Sequence, residues 1–470
     1  LVWSPHAQNE TAKLCELDVC RCRKSALVHC AYDIPVLCPY DNIVTARPGH
    51  LADFSFVQLS GHGRRAALSI LPYVGRMWYH RVAVEHMLHH GIATWDDITW
   101  SLTATGRLPP STLEAPLEAI EQAWGSDRHL AKHSINSMIG LWASTRTHAY
   151  SVVTSSNASD LSQSVMTRHF AYGDRNVIDS IQISRLLDNA TMRPLHDLIM
   201  HTEHTRLAQA VYVVARLGIP PRAIKHVKTD ALILDVPVRK LGAIKAISNL
   251  RYDQLHTLRR DHEHRDPAQR FLNAHTEMSP LTSTDTVFRF SEHGLPLQGR
   301  YEKPHRDVSP PTHPPPWREL TEAEARSAVM AGEGVMVQGA PGVGKTHWVR
   351  ELVGALRAEG KKVCVVAKTH ASVQNFGIGA TTADHWVRRN IRPGGSVNCD
   401  VLVIEEQTMI EHQLWADVCK LALGGVAFIL CGDFSQFPAC CECHVGRIVP
   451  EGALEQSHMI RDLSGGNILT

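Results

Sequence analysis

Apolar and polar positions fall into repeating blocks over the last third of the chain. Four short apolar runs, at 334–338, 362–367, 401–405 and 426–431, are bounded by glycine or polar residues. Between them, apolar residues recur at helical spacing, most clearly from His347 to Leu356. Short apolar strands alternating with amphipathic helices predict a parallel sheet covered on both faces. A further helix is expected over 320–330, with Thr321 as its N-cap and Glu324 three residues on.

The first two thirds are less regular. Apolar residues flank Asp18 as in a short buried strand, and Arg21, Arg23 and Lys24 follow. Residues 64–125 read as mostly helical. Their first part is one long amphipathic stretch interrupted at Pro72 and Gly75, with Trp78, Tyr79, Val82, Val84 and Met87 on a common face. Pro109 and Pro110 break the chain before another helix at 112–124. In AKHSINSMIGLW, 131–142, Lys132 and Asn136 stand one helical turn apart and Gly140 follows, a ligand-facing surface or an ordinary amphipathic helix. A helix over 205–217 ends at Gly218 and a proline pair. Residues 224–236 then read as a β-hairpin with Asp230 at its turn. The charged stretch 250–266 is expected to be helical, either gripping backbone phosphates or presenting a solvated face.

Composition narrows this picture. With 470 residues, the chain has room for roughly two to four domains. Six prolines between Pro304 and Trp317 predict a stiff, extended linker. The expected units are therefore 1–303 and 318–470, joined by 304–317. A net charge of +1 neither requires nor excludes nucleic acid. Twelve cysteines in so long a chain do not form a disulfide framework, so an intracellular, reducing compartment is expected. No apolar run reaches membrane-spanning length, and no membrane partner is expected. The chain opens Leu-Val-Trp, without Met, and reads as a piece of something longer.

The sharpest chemistry lies in GAPGVGKT, Gly339 to Thr346, between an apolar run and a helix. Gly339, Gly342 and Gly344 allow the backbone to curl around a phosphate with its amides pointing inward. Lys345 can reach the β- and γ-phosphates of ATP, and the Thr346 hydroxyl can ligate Mg²⁺. In VLVIEEQTM, four apolar residues end at Glu405 and Glu406; the first acid can hold Mg²⁺ and the second can activate water. In GDFSQFP, Gln436 can contact the γ-phosphate. Thr369 and His370, after the 362–367 run, can touch a nucleic-acid backbone. Cys440, Cys441, Cys443 and His444 suggest zinc, but their spacing is too tight for the usual four-ligand site.

Taken together, these motifs over about 318–445 resemble the first RecA-like domain of superfamily 1 DNA helicases of the RecD-like branch. The resemblance implies an α/β fold and makes Lys345, Thr346, Glu405, Glu406 and Gln436 the ATP-site residues. Glu405 stands where that branch has aspartate, and Glu324 where it often has a base-reading glutamine. A second RecA-like domain, which supplies transition-state arginines in that family, does not follow. The chain is therefore expected to bind ATP but hydrolyse it slowly.

Asp18, the Lys132/Asn136/Gly140 helix and the Lys228-Thr229-Asp230 hairpin resemble, in order and rough spacing, motifs A, B and C of B-family DNA polymerases. That likeness implies an α+β palm and fingers region, with Asp18 and Asp230 holding Mg²⁺ and Lys132 and Asn136 binding the incoming nucleotide. The sequence departs from the family at Lys228, where an aspartate is usual, and at Ile139, where tyrosine is usual. Three functions are compatible with these readings. The first is a replication protein joining polymerase-like and helicase modules on single-stranded or primer-template DNA. The others are a P-loop ATPase with an unrelated binding region and an inactive remnant of a mobile-element replication protein.

Overall fold

A computed structural model describes residues 2–3, 14–19, 22–59, 76–143, 148–155, 164–172, 175–185, 192–220, 223–228, 230–236, 258–264 and 309–470, except 378, 392–396 and 441. Among these residues no helix is long and apolar enough to cross a membrane.

The C-terminal domain is built on a seven-stranded sheet. Its order is Arg318–Glu319, Asn467–Leu469, Val335–Gln338, Ala427–Gly432, Val401–Glu405, Val363–Ala367 and Ala380–Thr382. Every neighbouring pair is parallel. The continuous apolar runs follow from burial on both faces. Val401 and Val403 enter one core, with Val349, Leu352 and Leu356 of the helix Lys345–Ala358. Leu402 and Ile404 point the other way, into a core with Trp386, Leu414 and Trp415. The four strands expected from the pattern are present. The three additional strands are only two or three residues long, too short for a periodic signal.

In the N-terminal region, an antiparallel sheet has the order Val2–Trp3, Ile224–Lys228, Ala231–Leu234, Leu14–Val19 and Leu258–His264. The expected hairpin is there, with Lys228 paired to Ala231 around the turn that carries Asp230. Its Ile224, Leu232 and Leu234 bury against Leu207, Ala210 and Val214 of the long helix Arg193–Arg216. Arg206 on that helix clamps the short helix Cys22–Val28, donating to Cys22 O at 3.1 Å and Ser25 O at 3.2 Å.

Two expectations are corrected. Trp78 and Tyr79 lie on a strand, Arg76–His80, paired to Phe54–Gln58; the helix begins only at Arg81. Consecutive aromatic residues favour a pleated, half-buried surface, and the His80 ring caps the helix by accepting from Val82 N at 3.2 Å. Val84 and Met87 do share the buried helix face. Residues 64–75 of the same expected helix lie outside the described residues. Likewise, 258–264 within the charged stretch is a strand, its Arg259 opposite Asp18. The open edge of Leu14–Val19 offers unpaired backbone groups, and a strand rich in charge suits the outside of a sheet.

Residues 309–317 of the proline stretch carry no helix or strand, and the chain makes contacts across them. Arg461 stacks over Trp317, with 5.7 Å to the ring centroid, and His313 lies 4.6 Å from the Trp100 ring. The halves also touch directly. Tyr40 donates to Glu442 Oε1 at 3.3 Å, and His458 N donates to Asn42 Oδ1 at 2.8 Å.

Candidate active site

Parallel register brings the C-terminal motifs to one edge. Gln338 is paired with Gly432, and Ala367 with Glu405, so the loops after four strands open on the same side. Gly339 to Gly344 curls from strand to helix there. Gly342 has φ 84° and Gly344 has φ 98°, a conformation that side chains with a Cβ rarely adopt. Lys345 folds back over the loop and donates to Gly339 O at 2.5 Å and Ala340 O at 2.9 Å. The loop is exposed, so the amides at the start of its helix face solvent.

Across from the loop, Glu405 ends its strand with only 4% exposure. One carboxylate oxygen accepts from the Thr346 hydroxyl; Oε2 accepts no hydrogen bond in the described structure. The Cys431 thiol on the adjoining strand is pushed up by burial and by the Glu405 charge. Glu406 follows at φ 53°, left-handed backbone for a residue with a Cβ, and its carboxylate accepts from the Ser372 hydroxyl. Strain of this kind costs about 1–3 kcal/mol and concentrates at functional sites.

The third motif closes the edge. Asp433 Oδ1 accepts from Ser435 N at 2.9 Å and Ser435 Oγ at 2.6 Å, which holds its carboxyl below the usual range. Gln436 N donates to Asp433 O at 3.0 Å, fixing the turn that carries the half-buried Gln436. Gly432 lets this motif pack against the second: a Cβ there would stand 2.9 Å from Gln407 Cγ.

Other expected site residues have local duties. The Thr369 hydroxyl caps the helix His370–Phe376, accepting from Ser372 N at 3.1 Å; His370 is exposed. The Glu324 carboxylate closes the capping box, accepting from Thr321 N and Oγ1, both at 2.8 Å. Cys440 and Cys443 are exposed, and His444 packs at 4.9 Å from the His412 ring, its Nε2 3.2 Å from Val36 O. Among the described residues no group of three or more His, Cys, Asp or Glu side chains is arranged to hold a metal.

In the N-terminal sheet, Asp18 is the pairing partner of Ala231, and Val19 N donates to Asp230 O at 3.1 Å. The chain positions of the two aspartates are thus adjacent, with Asp230 half-buried. Lys132 is exposed and Asn136 half-buried on the helix Arg128–Trp142, whose Ile135 and Ile139 pack on Ala26 and Leu27. Thr229 lies outside the described residues.

Several neighbours were not legible in the sequence. Ser372 and Gln407 reach the site only through the fold; Gln407 is fully buried, and neither amide atom is hydrogen-bonded among the described residues. Glu203 is also fully buried, 3.5 Å from Arg23 Nε. Burial pushes its carboxyl up, Arg23 opposes this, and the Asp230 charge adds to it.

Residues 322–459 match the model of the AAA domain family. Over 164 residues the chain is 30% identical to the ATP-dependent DNA helicase PIF1 of Homo sapiens, covering 30% of this chain and 25% of that protein. Over 143 residues it is 29% identical to the ATP-dependent DNA helicase PIF5 of Trypanosoma brucei brucei, covering 25% of this chain and 15% of that protein. The chain thus spans a quarter or less of the length of these relatives. The crystal structure of Pif1 helicase from Candida albicans aligns with 32% of this chain and 38% of its own at 22% identity, with a TM-score of 0.25. The family match and the parallel sheet give the C-terminal domain a P-loop fold, similar in sequence to part of these two helicases.

Proposed function

We propose that the C-terminal domain binds and hydrolyses ATP as the first motor domain of a superfamily 1, RecD-like DNA helicase. The observation that carries this reading is the Thr346–Glu405 contact facing the curled loop. A hydroxyl and a carboxylate meet at one point, and the second oxygen of the buried carboxylate accepts no hydrogen bond in the described structure. This all-oxygen donor set fits Mg²⁺, which when bound offsets the charge on the β- and γ-phosphates. Lys345, exchanging loop carbonyls for phosphate oxygens, neutralises charge at the same place. Glu406, held by Ser372, orients a water and takes its proton. Gln436 contacts the γ-phosphate and carries its loss to the segment that follows.

The test is ATP turnover by the full chain with and without single-stranded DNA. Turnover that rises with DNA and vanishes in Glu406→Gln supports the reading; equal turnover in wild type and Glu406→Gln overturns it.

A second reading concerns the N-terminal region as a divergent polymerase-like palm, acting with the motor in DNA replication. The pairing of Asp18 with Ala231, beside the Asp230 turn, favours it. In this reading Asp18 and Asp230 hold Mg²⁺, while Lys132 and Asn136 meet the incoming nucleotide. Primer extension by wild type, lost in Asp230→Ala, supports it; no extension by either points to a binding region without polymerase chemistry. Nine cysteines among the described residues are free thiols, which supports a reducing intracellular compartment.

A further inference from the structure

The N-terminal region meets the C-terminal domain at a hairpin that follows the GDFSQFP motif. The strands Cys443–His444 and Arg447–Ile448 pair antiparallel around Val445 and Gly446. Val445 has φ 50° and Gly446 has φ 73°, as a two-residue primed turn requires. Asparagine or glycine suits the first place of such a turn, and a β-branched residue there is strained. Val445 keeps that conformation while packed against Gly106 of the N-terminal region. Gly106 is buried on the strand Gly106–Leu108, which pairs with Ile34–Val36, and its φ is not positive. Its missing Cβ therefore serves space: a Cβ there would stand 2.7 Å from Val445 Cγ2 and 3.0 Å from His444 Nε2. His444 Nε2 also lies 3.2 Å from Val36 O. Beside the turn, Glu442 Oε1 accepts from Tyr40 Oη at 3.3 Å and from His412 N, and it lies 3.3 Å from His412 Nδ1. One carboxylate oxygen thus joins the N-terminal region, the hairpin and the helix His412–Val418.

We propose that this hairpin is a latch between the N-terminal region and the ATP site, whose seating opposes nucleotide binding. The inference rests on the reading of Gln436 as the group that meets the γ-phosphate. Glu442 follows Gln436 by six residues. A Gln436 drawn toward phosphate pulls on the segment that carries Glu442, while Tyr40 and Gly106 on one side and His412 on the other hold that segment back. The strained Val445 turn favours release, because such strain persists only where the surroundings impose it. Seating and nucleotide binding therefore compete, and linkage makes the competition reciprocal. Whatever fixes the hairpin weakens nucleotide binding by the factor by which nucleotide loosens the hairpin.

The experiment locks the latch in the full chain with Gly106→Cys and Val445→Cys together. A disulfide needs Cβ atoms about 3.5–4.5 Å apart, and Val445 Cβ lies one bond beyond the methyl that a Cβ at 106 would meet. Mass spectrometry confirms the link, and a fluorescent ATP analogue is titrated in Mg²⁺ before and after reduction with dithiothreitol. The expected result is binding about 5-fold or more weaker in the linked form, restored on reduction, with Val445→Cys alone indifferent to the oxidant. Val445→Gly, which empties the space beside Gly106 and relieves the turn, should bind the analogue more tightly than wild type. Saturable binding that is equal in the linked and reduced forms overturns the latch and leaves the ATP site standing. Binding absent from both forms and from wild type overturns the reading of the site, and the latch with it. A cysteine pair that does not link contradicts the seating and overturns the proposal.

Discussion

The Thr346 hydroxyl donates to Glu405 Oε1 across the carboxyl edge of the parallel sheet. This contact ties the first turn of one helix to the end of a strand 59 residues later. It places two hard oxygen donors side by side. Thr346→Val keeps the shape and removes the hydroxyl; Glu405→Gln keeps the shape and removes the charge. Losing a charge-assisted hydrogen bond costs about 1.5–3 kcal/mol, so each variant should bind an ATP analogue about 10–100-fold more weakly in Mg²⁺. With Mg²⁺ chelated, the variants and wild type should converge. Fluorescence titration in both conditions checks this.

Glu406 joins a strained backbone to the proposed base. Glu406→Gln should lower turnover about 10²–10⁴-fold with ATP affinity held. Glu406→Gly should lose the same activity yet gain stability, because glycine adopts φ 53° without penalty. Relief of about 1 kcal/mol raises a melting midpoint by about 2–4 °C in a domain of this size. Steady-state hydrolysis and calorimetry on the two variants separate the effects.

Asp53 and Arg107 form a two-pronged ion pair, both bonds 2.6 Å long, and Asp53 also accepts from Ala104 N at 2.8 Å. Asp53 is buried and Arg107 partly exposed. Arg107→Ala strands the aspartate, and Asp53→Ala leaves the Ala104 amide unpaired. Each should cost about 3–5 kcal/mol, read as a lower denaturant midpoint in urea.

Stability should fall through the histidine range. Burial, with the neighbouring His201, holds His80 down to about 3, and burial beside His90 and His89 does the same for His86. Both rings are neutral in the folded chain and bind protons once it unfolds, below about pH 6.5. Their stabilisation is therefore complete above that pH. It is lost as pH falls from about 6.5 toward 3, by about 1.4 kcal/mol per pH unit for each ring. His86→Gln should flatten this slope by about half, measured as urea midpoints from pH 7 to pH 5.

The motifs of the candidate site are legible in the sequence because each is local. A glycine loop, an acid pair and a GDxxQxP turn each fit within a few residues, and the parallel sheet aligns their ends. Ser372, Gln407 and Glu203 were not readable, because burial and a partner on another element set their environment. At the strands 76–80 and 258–264 the sequence predicts helix for a different reason. Aromatic pairs and mixed charges carry no decisive period, and pairing with a neighbouring strand decided the outcome. The Asp230 hairpin was readable because two short apolar runs flank a polar turn.

Binding of a fluorescent ATP analogue to the full chain tests the central claim most directly. The account predicts saturable, Mg²⁺-dependent binding that survives Glu406→Gln and is lost in Lys345→Ala. Equal affinity in wild type and Lys345→Ala would contradict it.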